Sequence, residues 1–190
     1  MIGKTIGELQ EGDYAELTRV VAHDDIADFV DAVGDYNPVH SDPAYAATTI
    51  FKTPIAPGIF TAGLISAVIG TTLPGPGAIY LSQSLKFTKP VFAGDTVTAR
   101  VTIVEVIRDR NRIRLQTVCR NQRGEEVLSG EAWVMPSRTS VVYERRPSGL
   151  ASLAAWPLAP WTVAAHTMAA WAALGLAMMG GASATSASRR

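Results

Sequence analysis

The sequence predicts an α+β fold, in which a run of antiparallel strands follows one buried helix. Three observations carry that expectation. Residues 59–73 contain no charge and are apolar or small on every side, which predicts a helix with protein on all its faces. Pro74-Gly75-Pro76-Gly77 then stops it. Beyond the stop the hydrophobic period changes to two. Val97, Ala99, Val101 and Ile103 alternate with Thr96, Thr98, Arg100 and Thr102, and Ile113, Leu115, Thr117 and Cys119 alternate with Arg112, Arg114, Gln116 and Arg120.

In chain order, residues 14–21 read as a first strand. Asp24 or Asp25 can cap a short helix that carries Ile26, Phe29, Val30 and Val33 on one side, ended by Gly34. Asp42-Pro43 has the form of an N-cap followed by proline in the first helical position, opening a brief helix to Ala47. After the buried helix, residues 78–88 are rich in β-favouring side chains. Asn121-Gln122-Arg123-Gly124 makes a polar turn, and residues 126–135 return as a last strand.

Composition removes several classes of function. With 17 basic and 17 acidic residues the formal charge is zero and no basic stripe exists, so a nucleic-acid partner has no electrostatic footprint. One cysteine, Cys119, excludes an internal disulfide framework and a cysteine-based structural zinc site. The three histidines, His23, His40 and His166, lack the short spacing of a zinc enzyme, and there is no Gly-x-Ser-x-Gly elbow or Walker motif. No metal and no cofactor is expected. Residues 1–6 lack the apolar run of a secretory leader, which together with the cysteine usage predicts a cytoplasmic protein.

The most informative stretch is Gly34-Asp35-Tyr36-Asn37-Pro38-Val39-His40. It sets a carboxylate and an imidazole five residues apart, a spacing that cannot share one helical face. Pro38 excludes a helix and pushes Asn37 toward extended geometry, so the segment folds back and can aim both side chains into one cleft. Each residue taken singly is an ordinary turn former or loop histidine. Together they can grip one water between a proton acceptor and a proton donor. Asn37 can orient Asp35 or shape the turn, and shaping is the expected role.

Phe29, the run from Val33 to His40, Asp42-Pro43 and Tyr45-Ala46-Ala47 resemble the hydratase-2 motif of MaoC-like proteins, most closely the short (R)-specific enoyl-CoA hydratases. The resemblance continues through Lys52-Thr53-Pro54-Ile55-Ala56-Pro57-Gly58, Ile79-Tyr80-Leu81-Ser82-Gln83-Ser84-Leu85-Lys86-Phe87 and Pro90-Val91-Phe92-Ala93-Gly94-Asp95, and covers residues 14–136. It implies a hot-dog fold over residues 1–137, a curved antiparallel sheet wrapped around the central helix, assembled as a homodimer. The implied reaction is reversible hydration of trans-2-enoyl-CoA to (R)-3-hydroxyacyl-CoA, linking β-oxidation intermediates to polyhydroxyalkanoate precursors.

The implied catalytic residues are Asp35, His40 and Gly58. Gly58 opens the buried helix, where backbone N–H groups are unpaired, and its amide is the candidate oxyanion donor. Close relatives often carry a histidine just before that glycine, where this chain has Pro57. Among substrate-contact candidates, Ser66 matches a serine facing the acyl pocket in the family. Ile65 and Ile69 are candidate pocket walls that core packing explains equally well. Gln83 has no assigned role. Which of Asp35 and His40 is the base, and whether the carrier is CoA or acyl-carrier protein, stay open. A hot-dog thioesterase and a non-catalytic acyl-thioester-binding subunit are the competing functions.

Residues 138–190 lie outside the resemblance. Arg145-Arg146 precedes an Ala-rich stretch, residues 147–188, without charge and with Trp156, Trp161 and Trp171. Within it residues 158–179 are long enough for a marginal membrane span, but Pro160, His166 and many alanines weaken their hydrophobicity. The expectation is a poorly ordered or surface-lying tail, with attachment to a membrane or lipid-storage granule left open.

Overall fold

The computed structural model describes residues 1–144. The expected Ala-rich tail lies outside the described residues. Eight strands and three α-helices follow in the order β1 (Ile2–Gly3), β2 (Tyr14–Val20), α1 (His23–Val33), α2 (Pro43–Thr48), α3 (Gly58–Thr71), β3 (Ile79–Gln83), β4 (Lys86–Phe87), β5 (Thr96–Ile107), β6 (Arg112–Arg120), β7 (Glu126–Met135) and β8 (Val141–Val142). β2, β5, β6, β7 and β3 form one antiparallel sheet in that spatial order, and β4 also pairs with β7. The predicted α+β class therefore holds.

The alternation of apolar and polar residues in β5 and β6 puts Val97, Ala99, Val101, Ile103, Ile113, Leu115 and Cys119 on the inner face, all buried, together with Leu128, Ala132 and Val134 of β7. Leu64, Ile65, Val68 and Ile69 of α3 complete one contiguous core with them. The Cys119 thiol reaches the Thr61 carbonyl of α3 at 3.8 Å. Burial pushes that thiol up to about 12. The outer face is laced with ion pairs such as Arg100–Glu16 at 3.0 Å and Arg114–Glu105 at 2.9 Å.

Three local expectations need correction. The N-cap of α1 is Ala22, and Asp25 sits in the first turn with its carboxylate accepting the Ala22 N–H at 3.1 Å. An acidic side chain three positions in can reach back as well as a cap can reach forward. The apolar run 78–88 is two strands, β3 and β4, broken at Ser84 and Leu85. At that break the chain runs so close to β7 that a Cβ on Gly130 would stand 1.8 Å from the Ser84 carbonyl oxygen. Finally, α3 is not enclosed on all sides. Ile59, Gly63, Ser66 and Gly70, spaced to share one helical face, are exposed. Uncharged small residues carry no signal that separates a face packed by its own chain from one left open.

Other elements form as their sequences dictate. Gly34 ends α1 in the left-handed region at φ 74°. Asp42 caps α2, accepting the N–H groups of Ala44 at 2.8 Å and Tyr45 at 3.1 Å, with Pro43 in the first turn. β8 pairs antiparallel with β1, Ile2 opposite Val142 and Gly3 opposite Val141.

Candidate active site

The turn after α1 delivers the acid and the imidazole together. His40 Nε2 lies 3.6 Å from Asp35 Oδ2, the histidine side chain mostly buried and the aspartate half-exposed. Asn37 shapes this turn. Its Oδ1 accepts the Val39 N–H at 3.3 Å and its carbonyl accepts the His40 N–H at 3.0 Å. His40 Nδ1 lies 2.8 Å from the Ile55 carbonyl oxygen. A carbonyl only accepts, so Nδ1 carries the proton and Nε2 is the nitrogen left to face Asp35.

Ile55 is the residue that sequence reasoning missed. Its N–H donates to the Val39 carbonyl at 3.2 Å, its carbonyl holds the imidazole, and it bridges to Phe92. Beside it the Ala56 N–H donates to the Val91 carbonyl at 2.8 Å. These bonds tie the Asp35–His40 turn to the segment that enters α3. The atoms that Ile55 and Ala56 contribute are all main-chain atoms, which leave no residue-type signal.

Gly58 follows three residues later as the first residue of α3, with Pro57 as N-cap. Among the described residues its N–H meets no acceptor. It lines a cavity of about 420 Å³ with Phe51, Ile55, Ile59, Phe87 and Val91. His40 borders a second hollow of about 490 Å³, with Val30, Tyr36, Ser41, Pro43 and Pro54. His40 and the candidate amide thus line different hollows of the single chain, and Ile55, which lines the first, bonds the imidazole that borders the second.

The remaining candidates are not gathered there. Ile65 and Ile69 are fully buried core residues and line neither hollow. Ser66 is on the exposed face of α3. Gln83, without a role in the sequence, bonds Thr117 Oγ1 at 2.9 Å and the Ser84 carbonyl at 2.6 Å through Nε2, and accepts from the Tyr80 hydroxyl. It satisfies Thr117, the polar residue on the core face of β6. No group of three or more metal-ligating side chains occurs among the described residues.

Such an arrangement defines a class: a hot-dog protein whose one long helix starts at a bare amide and whose neighbouring turn presents a carboxylate and an imidazole. Comparison with known proteins places it more narrowly. The MaoC like domain family matches residues 5–123. The (R)-specific enoyl-CoA hydratase of Rhodospirillum rubrum is 48% identical over 132 residues, covering 69% of this chain and 91% of that protein. The 3-hydroxybutyryl-CoA dehydratase of Methylorubrum extorquens is 46% identical over 127 residues, covering 67% and 80%. Among solved structures, R-hydratase PhaJ1 from Pseudomonas aeruginosa matches with a TM-score of 0.71 at 42% identity, covering 78% of this chain and 97% of that one. The (R)-hydratase from A. caviae involved in PHA biosynthesis matches with a TM-score of 0.65 at 42% identity, covering 67% and 96%. The chain belongs to the MaoC-like domain family.

Proposed function

We propose that this protein is an (R)-specific enoyl-CoA hydratase, adding water reversibly across the double bond of trans-2-enoyl-CoA. The observation that carries the reading is the 3.6 Å approach of His40 Nε2 to Asp35 Oδ2, with Nδ1 already held by Ile55. Two atoms 3.6 Å apart are near enough for one water to hydrogen-bond both at about 2.8 Å. As its oxygen bonds to C3 of the enoyl group, one of its protons passes to the pair and a proton passes from the pair to C2. Charge that moves onto the thioester oxygen during addition is met by the Gly58 N–H at the positive end of α3. The relatives named as (R)-specific enoyl-CoA hydratases support the carrier and the product hand.

We further infer a homodimer in which the exposed row Ile59, Gly63, Ser66 and Gly70 is covered by a second copy. On this reading the hydratase unit is the part of the chain before the Ala-rich tail, the setting is cytoplasmic, and the product supplies polyhydroxyalkanoate precursors. The test is hydration of crotonyl-CoA, followed by loss of the enoyl chromophore and by the chirality of the product. Asp35→Ala and His40→Ala should each lose about 10²- to 10⁴-fold in kcat while keeping the wild-type melting profile. Wild-type-like turnover in either variant removes the mechanism, and release of free thiol without hydration moves the protein to the thioesterases.

A further inference from the structure

We propose that Phe87 is a positioning residue for this reaction, its ring occupying the space that a side chain at position 58 would fill and so fixing how a thioester carbonyl lies against the Gly58 amide. The proposal deepens the hydratase reading and rests on it. An oxyanion donor needs an N–H, which every residue but proline supplies, so the donor role does not by itself call for glycine. Nor does the backbone, because Gly58 is not among the glycines of positive φ. In a helix, glycine is less favourable than alanine by about 1 kcal/mol. What a larger residue would have to displace is Phe87. A Cβ built on Gly58 would stand 2.8 Å from Phe87 Cε1, 3.0 Å from Cδ1 and 3.1 Å from Cζ. The ring thus rests on the bare Cα of the residue whose N–H has no acceptor, and both line the same cavity.

The ring is about half exposed, so core burial is not what keeps it there. It is placed by its strand. Phe87 pairs with Leu128 of β7, and Thr88 continues the hold with its N–H on the Val127 carbonyl at 3.0 Å and its hydroxyl on the Glu126 carbonyl at 2.5 Å. Upstream, the close approach at Gly130 and the Gln83 amide on the Ser84 carbonyl set where the chain leaves β3.

A double-mutant cycle on the full-length protein tests this: Gly58→Ala, Phe87→Ala and the pair, with Phe87→Tyr as the conservative control. Steady-state hydration of crotonyl-CoA gives kcat and KM, and thermal melts report folding. Gly58→Ala should lose about 10²-fold in kcat/KM, because its methyl group displaces the ring and with it the substrate. Phe87→Ala should lower kcat more than it raises KM, and Phe87→Tyr should restore it. In the Phe87→Ala background the added methyl should cost less than threefold. Equal losses from Gly58→Ala in both backgrounds, or an unchanged kcat in Phe87→Ala, would overturn the proposal. If the wild type does not hydrate crotonyl-CoA, the hydratase reading falls separately. The same cycle is then read on butyryl-CoA affinity, where additivity of the two substitutions overturns the role of Phe87.

Discussion

His40 has one nitrogen held by a carbonyl and the other turned to a carboxylate, so the orientation of its ring is set by the Ile55 main chain. Asp35, His40 and the turn around Pro38 were legible in the sequence because their chemistry resides in side chains and their spacing in a proline. Ile55 was not, because any non-proline residue offers the same two main-chain atoms. Elsewhere, Glu125 is one of the carboxylates that tie stability to pH in acid, with Glu8 and Asp25. Glu125 accepts from Asn121 Nδ2 at 2.8 Å, Lys89 Nζ at 2.5 Å and Arg123 Nε at 2.7 Å, and these bonds, Asn121 first, hold its carboxyl down at about 2. A carboxylate depressed in the folded state stabilises it above the ordinary glutamate range and loses that contribution as pH falls toward about 2. Glu125→Gln should therefore melt lower than wild type at pH 7, and the gap should close between pH 4.5 and 2 when both are followed by circular dichroism.

At the scale of elements, what could be read was whatever has a period or a punctuation mark. The alternations in β5 and β6, the glycine closing α1 and the Asp42-Pro43 start of α2 are all of that kind, and all three stand in the structure. The division of the 78–88 run into β3 and β4 was hidden, because it depends on how near Ser84 comes to Gly130, a contact between segments distant in sequence. Gly130→Ala should accordingly destabilise the protein by about 1–3 kcal/mol or more, measured by urea unfolding, despite being a small change in a strand. The open face of α3 was hidden for a related reason. A row of glycine, serine and isoleucine without charge reads as interior whether its cover comes from the same chain or another.

That open row makes its own prediction for the whole molecule. With the homodimer proposed above, Gly70→Glu places a charge in the covered surface, and light scattering after gel filtration should show a shift from two copies toward one; an unchanged mass would remove this row from the interface. The core residues run from Leu9 to Val134, so a chain ending after residue 144 should keep both its melt and its hydratase turnover if the tail is an appendage. Loss of folding on that truncation would make the tail part of the domain. The sequence has one cysteine, and it is enclosed between the sheet and α3 with its thiol held in the protonated form at neutral pH. The protein therefore carries a built-in clock for its own opening. A thiol reagent offered to the native chain will wait on separation of helix from sheet, and the rate of labelling will report how often that separation happens, with no dye attached and no residue changed.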